Sequence, residues 1–125
     1  MISSEETISL EYVDTFDNNE KKTLLFSKHL IEQEFNEKSL FAILIDGKSM
    51  EPNITDKSVL VADLSQKKLI DKKIYLLYYE SQLWVKQYSS KQQQFISINP
   101  QFSHLVYDEQ NVHLVARVLL TFKNL

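Results

Sequence analysis

At 125 residues, 43% of them hydrophobic, the chain is long enough for one domain around a single core and too apolar to be disordered throughout. A formal net charge of −3 and a pI near 5.6 remove any global electrostatic case for binding nucleic acid or an anionic membrane. The lack of cysteine excludes disulfides, thiolate-ligated zinc and thiol catalysis together, and fits a reducing compartment.

The N-terminal stretch MISSEETISL has neither the basic start nor the apolar core of a signal peptide. No apolar run approaches the roughly 18 residues a membrane span needs, so a cytoplasmic protein with no membrane partner is expected. Residues 7–13 (TISLEYV) alternate Ile8, Leu10 and Tyr12 with polar neighbours, the pattern of a strand. Residues 14–22 (DTFDNNEKK) are polar and turn-rich and predict a surface loop or mobile arm. Residues 1–22 are accordingly set apart as an N-terminal arm, and 23–125 as the domain proper. Residues 27–35 (SKHLIEQEF) predict one short helix, with Ser27 as N-cap and Leu30, Ile31 and Phe35 as its apolar face.

From residue 40 onward the pattern is β. LFAILI (40–45) is an apolar run of strand length that ends at the Asp46-Gly47 turn signal. SVLVADL (58–64), KIYLLYY (73–79) and LWVKQY (83–88) follow closely, the last two near enough to form a hairpin. QFISI (94–98) stops at Asn99-Pro100, and VHLVARVLLTF (112–122) is a long closing strand too β-branched to favour a helix. The expected fold is mainly β, a single domain with one short helix. VHLVARVLLTF also carries more apolar positions than one core face uses, which points to pairing between two copies.

Glycine occurs once, against an average usage of about 7%. Turns must then rely on Asn, Asp, Ser and Lys, and Gly47 stands where no other residue would serve. It opens GKSMEP (47–52), which places Ser49 and Met50 directly after a turn. Serine is a weak nucleophile until a base takes its proton. His29, His104 and His113 lie in no recognisable catalytic setting, although members of a triad need not be close in sequence. Lysine serves as the base when burial makes it neutral. In LWVKQY, strand alternation puts Trp84, Lys86 and Tyr88 on one face. That pattern leaves two readings open: a desolvated lysine between aromatics, or a wet one resting its stem on the rings.

DGKSMEPNITDKSVLVAD followed by LWVKQY resembles the LexA-like S24 peptidase domain, shared by the LexA repressor, lambda-type phage repressors and UmuD. In that family a Gly-x-Ser-Met turn carries the nucleophile and a later Val-Lys strand its general base. Ser49 and Lys86 match those places, at the expected separation. INPQF (98–102) is similar to the family's Asn-x-x-aromatic segment, and VARVL (115–119) to its closing strand. The resemblance implies a LexA C-terminal-like β-ribbon or pseudo-barrel domain with a Ser49/Lys86 dyad and no cofactor or metal. Backbone N–H groups of the 47–50 turn would stabilise the oxyanion, Gly47 and Met50 shaping that turn.

Members of the family cut themselves at an Ala-Gly or Cys-Gly bond upstream of the serine. Here that region is EYVDTFDNN (11–19), with no glycine and no small-residue pair, so self-cleavage there is not expected. The Asp-Gly-Asp usual after the motif is DKS (56–58), and the usual closing-strand glycine is Ala116. Three functions follow as expectations. The first is the dimerising C-terminal domain of a repressor, with DNA bound by a separate helix-turn-helix and not by this domain, and with a RecA-type coprotease as partner. The second is a stand-alone UmuD-like SOS accessory protein that binds a DNA polymerase. The third is a structural β domain without catalysis.

Overall fold

The alternating N-terminal segment pairs with the segment that follows it. In the computed structural model, which describes residues 6–123, β1 (Thr7–Asp14) and β2 (Glu20–Ser27) form an antiparallel hairpin. Residues 1–5 of the expected arm and 124–125 of the expected domain lie outside the described residues. Asn18 and Asn19 supply the positive φ that closes the tip, as asparagine does more readily than most side chains. Asp14 Oδ1 accepts the Phe16 N–H, and Lys22 Nζ reaches Asp14 at 2.7 Å and Asp17 at 3.1 Å. The polar stretch 14–22, expected as a loop or mobile arm, is instead the closed end of a hairpin whose acids face a lysine. β2 spans residue 22, where the arm is expected to end.

The helix expected over 27–35 does not form. Ser27 does cap, its Oγ accepting the His29 N–H at 3.2 Å, but only a 3-10 turn, Lys28–Leu30, follows. Ile31 then takes an extended backbone and is buried with Ile8 and Phe26, with Phe35 packed on them, while Leu30 is left about half exposed. The Asn36 N–H donates to the buried Asp63 carboxylate at 2.8 Å. Long-range packing and this hydrogen bond outweigh a weak local helix preference. Burial alone would raise the Asp63 pKa, but hydrogen bonds from Asn36 and Ser65 together hold it below the usual carboxylate value.

β3 (Leu40–Leu44), β4 (Val59–Asp63), β5 (Ile74–Tyr79), β6 (Gln82–Ser89), β7 (Gln94–Ile96), β8 (Tyr107–Asp108) and β9 (His113–Phe122) form one antiparallel sheet. Its spatial order is β3-β4-β9-β5-β6-β7-β8. The fold is thus mainly β, with 3-10 turns in place of the expected helix. β8, only two residues long, carries no periodic signal by which it could be anticipated. The β5–β6 turn is made by Glu80 and Ser81, both at positive φ, which is the mirror-image turn that matches strand twist, built here without glycine. The closing strand β9 lies between β4 and β5, with register shifts at Val61/Ala62 and at Leu76/Leu77. Such bulges sharpen the local twist of a sheet.

β4 is buried along its whole length, so it reads as a continuous apolar run and not as an alternation. Val61 points to the hairpin core with Ile8, Phe26, Ile31 and Leu40. Its neighbour Leu60 points to the other face, against Met50 and Ile54. Each such side chain contributes about 1.5–3 kcal/mol on burial. The hairpin therefore covers one face of the sheet, and the loop that carries Ser49 covers the other. The apolar side chains of β9 are used within the chain: Leu119, Leu120 and Phe122 on the hairpin core, Val115 and Val118 on Ala62 and Leu76, and Leu114 on Tyr75. Among the described residues no helix is long and apolar enough to cross a membrane.

Candidate active site

The chain leaves β3 at Leu44 and returns into β4 at Val59. The neck of this loop is closed by two backbone bonds: Ile45 N–H donates to Ser58 O at 2.9 Å, and Lys57 N–H to Ile45 O at 3.1 Å. Inside the neck, the Gly47 N–H donates to Asp56 Oδ1 at 2.8 Å. Gly47 has φ +133°, and a Cβ placed on it would meet nothing within 4 Å. Backbone conformation and not space is what requires glycine here. Met50 and Ile54 anchor the loop, buried on Leu60, and the Ile54 N–H donates to Met50 O at 2.9 Å. Ser49 is held between these pegs and the turn at Gly47.

Lys86 comes from the middle of β6, opposite Tyr75 of β5. Trp84, Lys86 and Tyr88 do share a face, and of the two readings left by the strand pattern the structure takes the desolvated one: Lys86 is 0% exposed. Its Nζ lies 2.7 Å from Ser49 Oγ and 5.5 Å from the Trp84 ring centroid. Among the described residues no carboxylate forms an ion pair with it. Burial, with no compensating anion, lowers its pKa from 10.5 to about 8. An amine in that range is available in its neutral form near physiological pH and can accept a proton from the hydroxyl it touches.

The three histidines stay apart from this pair. His29 is exposed and lies 3.6 Å from Glu6, and His104 and His113 are exposed on the surface. Lys86 is thus the basic group at Ser49.

A cleft of about 260 Å³ opens beside Ser49. Its walls are apolar: Ile43 from β3 and Ile45 just after it, Leu83 and Trp84 from β6, and Phe102 and Leu105 from the segment after β7. The backbone donors of the loop divide into two kinds. The Gly47 N–H is committed to Asp56, so it is not free to meet an oxyanion. The N–H groups of Lys48, Ser49 and Met50 have no acceptor among the described residues. Sequence reasoning expected the whole 47–50 turn to serve. The brace that removes Gly47 comes from a side chain nine residues on, which no local pattern announces. Sequence reasoning also did not place the Phe102–Leu105 wall, for which the signals were the Asn99-Pro100 pair that ends a strand and the INPQF segment that ends at Phe102.

The Peptidase S24-like family model matches residues 6–119. The chain belongs to that family. The match runs from the β1–β2 hairpin into β9. A search of curated proteins finds none that matches this S24-like chain.

Proposed function

We propose that this S24-like domain is a serine peptidase in which Ser49 is the nucleophile and Lys86 the general base, and that it serves as the C-terminal domain of a LexA- or phage-repressor-like regulator. The observation that carries the catalytic reading is the 2.7 Å approach of a wholly buried lysine, unpaired with any acid among the described residues, to Ser49 Oγ. Neutral Lys86 accepts the Oγ proton as Oγ attacks a peptide carbonyl carbon. The tetrahedral oxyanion is met by free N–H groups of the 48–50 backbone. Collapse breaks the C–N bond, and the Lys86 ammonium returns its proton to the departing amine. Water, deprotonated by the same lysine, then hydrolyses the acyl-enzyme.

The tip of the β1–β2 hairpin is a poor substrate for this centre. Asp14 and Asp17 are held by Lys22, and the Phe16 ring lies under Lys57 Nζ at 4.9 Å. The bond that is cut lies instead in another chain, with apolar side chains that suit the walls of the cleft. The regulatory part of the proposal gives DNA contact to a separate domain and pairing of two copies to this one. Sedimentation velocity at high micromolar concentration tests the pairing, and a species that remains monomeric removes it. The catalytic part is tested with a fluorophosphonate probe. Labelling that maps to Ser49 and vanishes in Ser49→Ala supports it, and a wild-type chain that takes no label removes it.

A further inference from the structure

We propose that Asn99 is a positioning residue for the reaction at Ser49, fixing the peptide units on both sides of the serine so that their N–H groups are preset for the oxyanion. The inference rests on the reading of Ser49 as nucleophile and adds a residue to that machinery from a distant part of the chain. Asn99 follows β7 and makes four hydrogen bonds, each with a different part of itself; one is its backbone carbonyl, which accepts the Phe102 N–H at 2.9 Å. Its backbone N–H donates to Ser49 O at 2.9 Å. Its side-chain Nδ2 donates to Lys48 O at 2.9 Å. Its Oδ1 accepts the Gln101 N–H at 3.0 Å, capping the 3-10 turn Pro100–Phe102. Both ends of the amide are used, so only one orientation of the side chain satisfies the network.

The consequence follows from peptide geometry. In a trans peptide unit the C=O and N–H point in opposite directions across one rigid plane. The Lys48 carbonyl shares its plane with the Ser49 N–H, and the Ser49 carbonyl shares its plane with the Met50 N–H. Asn99 holds both carbonyls, so it turns both N–H groups away from itself, and neither has an acceptor among the described residues. The Glu51 N–H also donates to Lys48 O, at 3.1 Å, which fixes the first plane from a second side. Pro100, with its locked φ at the start of the turn, stiffens the segment from which Asn99 acts. Donors held in place before the reaction need no reorganisation when charge develops, which is where their catalytic value lies.

The side chain is separable from the cap. Serine and aspartate also cap such turns by accepting the N–H two residues on, but ionised aspartate has no donor for Lys48 O, and serine has one short hydroxyl where the amide has separate acceptor and donor atoms. The experiment uses the full chain as wild type, Ser49→Ala, Asn99→Ser and Asn99→Asp. Each is treated with a fluorophosphonate from pH 6 to pH 10, the rate of Ser49 modification is followed by intact mass, and melting temperature is recorded alongside. In the labelling step the Oγ–P bond forms, the P–F bond breaks with loss of fluoride, and the hydroxyl proton passes to Lys86, so the phosphoryl oxygen reports on the same donors. The expected result is a plateau rate about tenfold or more lower in both Asn99 variants, with the pH midpoint still near that of wild type. Wild-type rates in Asn99→Ser and Asn99→Asp overturn the proposal. So does a slower rate accompanied by a displaced midpoint and a large loss of melting temperature, which marks general collapse of the site. Absence of Ser49 labelling in wild type overturns the nucleophile reading itself, independently of any Asn99 variant.

Discussion

Asp56 Oδ1 accepts the Gly47 N–H at 2.8 Å, a side-chain brace inside the backbone-closed neck of the loop that holds Ser49. It holds Gly47 at φ +133°, far from the left-handed values that Asn, Lys, Ser, Glu and Gln adopt elsewhere among the described residues. Asp56→Ala removes the brace and is expected to cost about 1 kcal/mol. Gly47→Ala meets no steric obstacle but forces φ +133° on a residue with a Cβ, at about 1–3 kcal/mol. Urea denaturation of both variants checks the two figures. Loss of Ser49 labelling should exceed what the loss of stability explains, because the donors of the loop shift with its neck.

The second prediction concerns the rate of Ser49 modification against pH. Lys86 acts only when neutral, and burial brings its pKa from 10.5 down to about 8. The rate should therefore climb through a midpoint near that value and level off above it. Lys86→Met should lower the plateau about 10²- to 10⁴-fold and abolish the titration. A midpoint that stays in place in the Met variant would assign the titration to another group.

Stability should change with pH in the same window. Between about 8 and 10.5 the unfolded chain binds a proton at Lys86 that the folded chain has lost. Stability of the wild type therefore rises with pH across that interval, and below it the fold carries a buried ammonium at a cost. Lys86→Met removes that cost. Its melting temperature at pH 7 should exceed that of wild type, and the gap should close as the pH approaches 10.5. Thermal melts of both proteins from pH 6 to pH 11 test the sign. A Met variant less stable than wild type at pH 7 contradicts the assignment of Lys86 as a desolvated base.

The chain should not cut itself within residues 10–20. Positioning dominates intramolecular reactions, with effective molarities that reach roughly 10⁵ M when geometry is right, and the hairpin tip lacks that geometry. Asp14 and Asp17 are paired with Lys22, and the Phe16 ring contacts Lys57 Nζ. Wild type and Ser49→Ala incubated at pH 7 and pH 10 should keep their intact mass. A Ser49-dependent cut between Asp14 and Asp17 would show that the tip reaches the cleft.

Much of the framework was legible in the sequence because its signals are local. Apolar runs and alternation located β3, β4, β5, β6 and β9 within a residue or two, since strand side chains repeat every second position. The Asp46-Gly47 signal marked the loop, and the shared face of Trp84, Lys86 and Tyr88 followed from the same period. The segment 27–35 went the other way. Its helical spacing was genuine, but Ile31 finds Ile8 and Phe26, and the Asn36 N–H finds Asp63, in partners that no window of neighbouring residues contains.

What only the tertiary structure decided is the environment of each group. Alternation puts Lys86 on a face, but its burial depends on the approach of Ser49 from the β3–β4 loop and on the sheet order that sets β6 beside β5 and β7. The pKa of Lys86, its 2.7 Å approach to Ser49 and the hold of Asn99 on the Lys48 and Ser49 carbonyls all depend on that arrangement. Desolvation and hydrogen bonding are set by whatever surrounds an atom in space. Here those surroundings are assembled from β6, the β3–β4 loop and the segment after β7, which meet only in the folded sheet.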